Sequence, residues 1–176
     1  RIAIVIGGTD GIGKEIATNL VLSWCKVLVV GKDTQKAVRV KKEIQESTRN
    51  QDIDVLCVDL SLMTETDRLC DLIINRFQQI HYLVLSAGTI LHCRELTAEG
   101  VEKNFATNYL SRFLIVKRLL PVLERSGRWD LSSRILVING AITNGKIYYD
   151  DVNLTEKFSI ARFVSQQCRA NDLLVM

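Results

Sequence analysis

The sequence predicts an α/β fold in which helices cover both faces of a doubly wound parallel sheet. Three observations predict it: short apolar runs alternate with longer segments of helical period, these runs lack polar alternation, and the turn after the first run is rich in glycine. Right-handed crossovers between successive strands favour the strand order 3-2-1-4-5. Because such sheets usually continue with one or two further strands, we expect a C-terminally incomplete sheet and a chain that is a fragment of a longer one.

Five short segments rich in valine, isoleucine and leucine are predicted to be the strands. They occupy residues 2–6, 27–30, 53–58, 82–85 and 134–138. A continuously apolar strand is typical of a sheet with helices on both sides, so both faces of each strand are expected to be covered.

The helices are predicted where apolar residues recur at helical spacing between these strands. The first three cover residues 13–23, 36–48 and 65–77. After the fifth strand, residues 139–153 have no regular pattern, and a weak helical pattern covers about 155–175.

The fourth helix is predicted to be long and to start near Ala98. Its face with Val101, Phe105, Tyr109 and Phe113 is continuously apolar and is expected to pack on the sheet. A proline at position 121 should bend or locally unwind the last turns, because it lacks the backbone donor that an interior position needs.

Length and composition indicate a single domain over residues 1–176. With 47% hydrophobic residues, the chain is long enough to bury one core. The 23 basic and 20 acidic residues give a net charge of +3 without a basic run, so no nucleic acid is expected as a partner. Arg112, Lys117 and Arg118 interrupt the most apolar stretch, so no membrane span is predicted.

The cysteines and histidines predict neither a disulfide framework nor a metal site. Five cysteines form no C-x-x-C pair, and their odd number argues against a set of disulfides. Two histidines leave little material for a metal centre. We therefore expect reduced thiols and a cytoplasmic location.

The strongest local signal is the glycine turn between the first strand and the first helix. Gly7, Gly11 and Gly13 have the spacing G-x-x-x-G-x-G. Gly7 permits a tight turn, Gly11 removes a Cβ where a diphosphate approaches the backbone, and Gly13 lets the helix pack closely on the strand. The helix N-terminus then offers unpaired N–H groups to the phosphates. A glycine-rich turn without a ligand is the alternative.

This turn is similar to that of the short-chain dehydrogenase/reductases, whose Rossmann-type domain binds a nicotinamide dinucleotide. Asp59 matches the family aspartate that caps the adenine, Ala87 and Gly88 match the end of its N-N-A-G turn, and Asn108 matches the asparagine that bends the fourth helix and holds a catalytic water. Residues 94–105 also resemble the retinol-dehydrogenase-like branches. The resemblance implies a cofactor site formed by Gly7, Thr9, Asp10, Gly11, Ile12, Gly13, Lys32, Asp59, Leu60, Ala87 and Gly88.

Each matched residue also has an ordinary structural interpretation. Asp59 could be a helix N-cap partner, and Asn108 could be a buried asparagine satisfied by backbone. The shared order and spacing of the motifs favour the cofactor site.

The end of the second strand favours NADP over NAD as the cofactor. A carboxylate at position 31 would bind the ribose hydroxyls of NAD, whereas a cation one residue later pairs with the 2′-phosphate of NADP. The chain has Gly31 followed by Lys32. A solvated surface lysine is the alternative for Lys32, and Asp10, close to the phosphates, argues weakly for NAD.

The residues that the family uses for catalysis are mostly unmatched. The family transfers a hydride with a tyrosine as proton donor, a lysine four residues later and a polarising serine. No Y-x-x-x-K occurs in this chain, and alignment places Gly140, Val164 and Cys168 at the serine, tyrosine and lysine. Asn108 is the one match.

Substitutes for the missing acid are predicted in the irregular segment after the fifth strand. Tyr148 and Tyr149 are the candidates for the catalytic acid, with Thr143 and Lys157 nearby in sequence. Cys168 is more simply explained as a buried structural thiol than as a nucleophile.

Two functions follow from these features. The first is an NADP-dependent oxidoreductase that acts on a carbonyl or alcohol, with a small-molecule substrate. The second is a catalytically inactive dinucleotide-binding sensor or interaction protein that kept the fold and lost the catalytic residues. The resemblance also implies a homodimer, because family members commonly pair through their fourth and fifth helices.

Overall fold

A computed structural model describes residues 1–129, 131–140 and 145–175 of the chain. Within them, five parallel strands form one sheet of order β3-β2-β1-β4-β5, as the sequence predicts. The strands are β1 (Ile2–Ile6), β2 (Lys26–Gly31), β3 (Ile53–Cys57), β4 (Tyr82–Leu85) and β5 (Arg134–Val137).

Helices connect the strands and follow the last of them. They are α1 (Gly11–Leu22), α2 (Thr34–Thr48), α3 (Met63–Arg76), α4 (Lys103–Phe105), a π-helical segment (Ala106–Leu110), α5 (Ser111–Ser126), a short 3-10 turn (Tyr149–Asp151) and α6 (Ile160–Leu174). The predicted helices 13–23, 36–48 and 65–77 thus agree with α1, α2 and α3 to within two residues at each end.

The central strand β1 divides the core into two layers. Ile4 and Ile6 pack in a buried cluster with residues of α3 and α5, whereas Ala3 and Val5 pack in a second cluster with residues of α1 and α2. Successive side chains of a strand point to opposite faces, so this alternation confirms that helices cover both sides of the sheet.

The expectation that every strand is covered on both faces is wrong at the two edges. β1, β2 and β4 are almost fully buried, but β3 is only half-buried and β5 is largely exposed. Within β5, Ile135 is 36% exposed and Leu136 is 46% exposed. An apolar run therefore indicated a strand correctly without indicating that helices cover it.

The predicted start and packing face of the fourth helix are also wrong. Helical structure begins at Lys103, because residues 97–102 form a turn that an isolated bridge between Leu96 and Glu102 closes. The π-helical segment then adds a residue to one turn, which rotates the following residues by about 100°. Phe105 is consequently buried while Phe113 is 45% exposed, although the two share one face at ideal helical spacing.

α5 packs on the sheet through residues that the four-residue pattern did not include. Ile115, Leu119, Val122 and Leu123 lie in the buried cluster with α3 and the strands. The helix continues through Pro121 to Ser126, so the last turns are not unwound. Pro121 is exposed, on the side of the helix away from the sheet.

Candidate functional site

A cavity of about 660 Å³ lies along the edge of the sheet where the strands end at their carboxyl termini. This is the edge at which doubly wound sheets bind ligands, and β1, where the strand order reverses, stands at its centre. Residues that follow all five strands line the cavity: Gly7, Thr9, Asp10, Gly11, Ile12, Gly31, Lys32, Val58, Asp59, Leu60, Ser61, Ser86, Ala87, Gly88, Thr89, Leu91, Lys103, Thr107 and Ile138.

The glycine turn opens directly onto this cavity. Gly7 has φ +84°, and a Cβ there would lie 2.3 Å from the amide nitrogen of Ala87. Gly13 does not line the cavity, but a Cβ there would lie 2.2 Å from the carbonyl oxygen of Gly7, so only glycine lets α1 approach β1 this closely. Gly11 has φ +50° and open space around its Cβ position. The three glycines therefore leave the corner free of side chains, and it stays open to the cavity.

Lys32 and Asp59 meet at the β2–β3 end of the cavity. The Lys32 Nζ lies 2.7 Å from Asp59 Oδ2, and Asp59 Oδ1 accepts hydrogen bonds from the amide and hydroxyl of Ser61. Burial alone would raise the pKa of Asp59, but these donors hold it below its ordinary value. Asp59 therefore orders the turn before α3 and is not its N-cap, since Leu62 occupies that position.

The side chain of Thr9 lies over Gly31, between the glycine turn and the end of β2. A Cβ on Gly31 would lie 2.5 Å from the Thr9 Cγ2 and 2.7 Å from its Oγ1. A carboxylate side chain at position 31 therefore has no room unless Thr9 changes. Glycine at this position is thus the residue that fits the present conformation of Thr9.

Asp10 caps the first helix at the mouth of the cavity. Its Oδ1 accepts a hydrogen bond from the Gly11 amide at 2.9 Å, and its Oδ2 lies 3.0 Å from the Nζ of Lys36 on α2. The hydrogen bond from Lys36 is the main reason that the pKa of Asp10 is lowered. Two ion pairs, Asp10–Lys36 and Lys32–Asp59, therefore flank this end of the cavity.

Asn108 lies in the π-helical segment and is 3% exposed. Its Oδ1 accepts a hydrogen bond from the Thr89 amide at 2.8 Å, and its Nδ2 donates to the Thr89 carbonyl at 2.7 Å. A Cβ on Gly88 would lie 2.8 Å from the same Oδ1. The side chain is thus satisfied by backbone, and it fixes the segment after β4 that lines the cavity.

The positions aligned with the family's serine and lysine are neighbours in space. A Cβ on Gly140 would lie 3.4 Å from the Sγ of Cys168. Cys168 is fully buried, and burial raises the pKa of its thiol, so the thiol stays protonated. The two aligned positions are therefore adjacent in the fold, and they offer neither a hydroxyl nor a cation.

Neither candidate tyrosine lines the cavity. Tyr148 is half-buried beneath Arg162, whose guanidinium carbon lies 3.9 Å from the ring centroid, and its amide donates to Gln166. Tyr149 is 75% exposed. Thr143 lies outside the described residues, and Lys157 is exposed.

Several lining residues carry no sequence signal strong enough to identify them. Lys103 is the clearest case: it lines the cavity at the start of α4 and its Nζ lies 3.1 Å from Glu95. Thr107, one turn later, lies beside it in the lining. Both depend on the exact start of the helix, which the periodicity misplaced by about one turn.

Across the described residues, no helix combines the length and the apolar character that crossing a membrane requires.

Comparison with known proteins matches residues 1–144 to the family model described as short chain dehydrogenase. Human polyprenol dehydrogenase is 31% identical over 176 residues, which are 100% of this chain and 52% of that protein. Human retinol dehydrogenase 11 is 30% identical over 159 residues, covering 90% of this chain and 48% of that protein. The chain thus spans about half the length of the curated relatives it matches.

Solved structures show the same fold. The Pseudomonas aeruginosa RhlG/NADP active-site complex has a TM-score of 0.75 at 23% identity and covers 99% of this chain and 64% of its own. A metagenomic short-chain oxidoreductase in complex with NADP has a TM-score of 0.74 at 19% identity, covering 98% and 72%. The family match over most of the chain, the sheet order and the glycine corner agree, and the chain belongs to the short-chain dehydrogenase family.

Proposed function

We propose that this chain forms the NADPH-binding part of an oxidoreductase that interconverts an alcohol and a carbonyl compound. The observation that carries the proposal is the open cavity at the carboxyl edge of the sheet, centred on the glycine corner of Gly7, Gly11 and Gly13. Of the eleven residues that the sequence assigns to the cofactor, all except Gly13 line that cavity, and Gly13 shapes the corner behind it.

The cofactor residues divide by strand. Thr9, Asp10, Gly11 and Ile12 surround the N-terminus of α1, where backbone N–H groups favour a diphosphate. At the β2–β3 end, Asp59 and Leu60 would contact the adenine. Lys32 would leave its ion pair with Asp59 and bind the 2′-phosphate. At the β4 end, Ala87 and Gly88 would face the second nucleotide. When bound, the cofactor supplies a hydride.

The substrate proposed is an apolar alcohol or the corresponding carbonyl compound. Relatives named polyprenol dehydrogenase and retinol dehydrogenase support this class, because both names specify apolar alcohols. The chain spans about half of these relatives, so the substrate contacts proposed belong to the complete protein. The cytoplasmic location and the homodimer stay predictions.

The proton donor proposed is Tyr148 or Tyr149. Gly140, Val164 and Cys168 supply no acid at the aligned positions, so an acid must reach the cavity from elsewhere. Asn108 would act by holding Thr89 at the cavity wall. If neither tyrosine contributes to catalysis, the alternative is a protein that binds the dinucleotide without catalysing a reaction.

Binding is tested by calorimetric titration of NADPH into the chain and into Gly11→Asp. Position 11 has a left-handed backbone, which strains any side chain, but it also has open space, and the carboxylate of aspartate would repel the diphosphate. We expect NADPH affinity to fall at least about tenfold. Gly100→Asp is the matched control, since Gly100 has φ +76°, equally open space and an exposed turn away from the cavity. Equal affinity in both variants would contradict the proposal.

Catalysis is tested in the complete protein by following NADPH consumption with apolar aldehydes and ketones. Tyr148→Phe and Tyr149→Phe each remove one hydroxyl, and loss of the working acid is expected to lower kcat by about 10²- to 10⁴-fold. NADPH binding without consumption in the parent protein would instead identify a binding protein.

A further inference from the structure

Arg112 is a buried cation behind the part of the cavity wall that follows β4 and β5, and it pairs with no carboxylate among the described residues. It lies in the first turn of α5 and is 5% exposed. Burial lowers the pKa of its guanidinium to about 10, which leaves it charged at neutral pH. The Nε atom is buried without a hydrogen-bond partner. A charge buried in this way is expensive, so its position needs an explanation.

The two terminal nitrogens of Arg112 hold the ends of two neighbouring strands. Nη2 donates to the carbonyl of Ala87, just after β4, at 2.7 Å. Nη1 donates to the carbonyl of Ile138, just after β5, at 2.9 Å, and also to Asn171 Oδ1 at 3.2 Å. Ala87 and Ile138 both line the cavity, although Arg112 itself does not. The planar guanidinium therefore fixes the spacing of two lining segments from behind.

The same network extends to α6 and to the segment after β4. Asn171 donates from Nδ2 to the carbonyl of Asn108 at 3.1 Å, and the Asn108 side chain holds both backbone groups of Thr89. The guanidinium and Asn171 together thus connect three helical elements with two strand ends. All of these contacts lie at the β4–β5 end, opposite the end where Lys32 meets Asp59.

We propose that Arg112 is a positioning residue that sets the nicotinamide half of the cavity by holding the ends of β4 and β5 together. The inference rests on the proposed function, because the strand order gives the adenosine half to β2 and β3. Arg112 also contributes to stability, because it satisfies three acceptors, on Ala87, Ile138 and Asn171. A general loss of stability would lower the affinity for every ligand of the cavity, whereas a positioning role affects the nicotinamide half selectively.

The test compares two ligands in Arg112→Met. NADPH occupies both halves of the cavity, whereas 2′-phospho-ADP-ribose lacks the nicotinamide and occupies the adenosine half and the diphosphate corner. We expect NADPH affinity to fall at least about tenfold, while affinity for 2′-phospho-ADP-ribose changes less than about twofold. Arg118→Met is the matched control, because Arg118 is on the same helix but pairs with Asp67 and Asp71 of α3. Its affinities for both ligands should equal those of the parent chain.

Arg112→Lys keeps the charge but cannot reach both carbonyls, and it replaces Arg112→Met in the test if the latter does not fold. The same selective loss of NADPH affinity is expected, with a smaller magnitude. Unchanged NADPH affinity in a folded variant, or an equal loss for both ligands, overturns the inference while leaving the proposed function intact. If the parent chain binds neither ligand, the proposed function fails, and the inference fails with it.

Discussion

Thr9 decides which residue can stand at the end of β2. Its Cγ2 would lie 2.5 Å from a Cβ at position 31, so any larger residue there requires the Thr9 side chain to move. In the sequence, Gly31 followed by Lys32 favours NADP over NAD. The structure adds the physical reason for the glycine, which no pattern in the sequence could supply because Thr9 and Gly31 are 22 positions apart.

The pair Thr9→Ala and Gly31→Asp is therefore expected to change the cofactor preference from NADPH to NADH. Alanine removes the two atoms that approach position 31, and aspartate can then bind ribose hydroxyls and repel a 2′-phosphate. The ratio of the two dissociation constants, measured by calorimetry, should change by at least about tenfold. Gly31→Asp alone should weaken binding of both dinucleotides, since the clash with Thr9 persists. An unchanged ratio in the double variant would refute this account of Gly31.

How much of the site was predictable depends on how local each residue's role is. The spacing of Gly7 and Gly13 sufficed to identify them, because Gly7 has a left-handed backbone and Gly13 approaches the Gly7 carbonyl, although Gly7 also approaches Ala87 on a distant segment. The pairing of Lys32 with Asp59 and the position of Arg112 depend on contacts between distant segments. Arg112 was visible in the sequence only as an interruption of an apolar stretch. Its burial could be recognised only in the folded chain.

At the scale of elements, Asp54 on β3 joins two helices to the edge of the sheet. Its Oδ1 lies 3.1 Å from Lys41 on α2, and its Oδ2 lies 2.5 Å from Arg76 on α3. Burial would raise the pKa of Asp54, but hydrogen bonds from Arg76, the Val55 amide and Lys41 hold it at about 2. The carboxylate therefore stabilises the attachment of both helices when it is charged.

Asp54→Asn is expected to lower the free energy of unfolding at pH 7, and the difference from the parent chain should shrink below about pH 4. The pKa is lower in the folded chain than the value of about 3.9 in the unfolded one, so the stabilisation is present above that value and is lost as the pH falls toward 2. Because the side chain is 39% exposed, the effect should be below about 1 kcal/mol. Urea unfolding at several pH values measures it.

The control for this pH series is Asp52→Asn, at an exposed position two residues before Asp54. It should unfold like the parent chain throughout. A difference between Asp54→Asn and the parent chain that stays constant from pH 7 to pH 3 would exclude the ion pairs as its source.

The end of α2 provides a second test at this scale. Arg49 follows the helix with φ +55°, a left-handed conformation that glycine adopts without strain. Arg49→Gly is expected to raise stability by about 1 kcal/mol, or roughly 2–4 °C in Tm. Arg39→Gly, the same substitution inside the helix, should lower it by about 1 kcal/mol. Thermal unfolding that moves both variants in the same direction would contradict the assignment of the helix end.

Elements were predictable where one period governs the whole segment. α1, α2 and α3 follow the 3.6-residue period, and their predicted bounds agree with the structure. The fourth helix failed because the π-helical segment at Ala106–Leu110 changes the phase within an otherwise periodic pattern. β5 was found as a strand, but its apolar composition gave no information on what covers it.

At the scale of the whole molecule, the exposed strand β5 is the principal apolar edge of the described sheet. Ile135 and Leu136 point to opposite faces and are both partly exposed. An exposed apolar edge strand promotes association between chains. We therefore expect Leu136→Lys to reduce light scattering on heating and concentration-dependent association in gel filtration.

NADPH affinity should be unaffected by Leu136→Lys, since residue 136 lies on β5 away from the cavity lining. Lys26→Leu, at the exposed start of β2, is a control with the opposite charge change and should increase association. Equal association of the parent chain, Leu136→Lys and Lys26→Leu would show that the exposed edge strand does not drive association.

The proposed site requires a dinucleotide to lie across the carboxyl edge of the sheet, from β3 to β5. Hydrogen exchange of the chain with and without NADPH, followed by mass spectrometry, tests this most directly. We predict slower exchange in peptides that cover residues 7–13 and 86–91, and unchanged exchange in residues 120–129, at and after the end of α5, which do not line the cavity. NADPH binding with no protection at residues 7–13 would contradict the account.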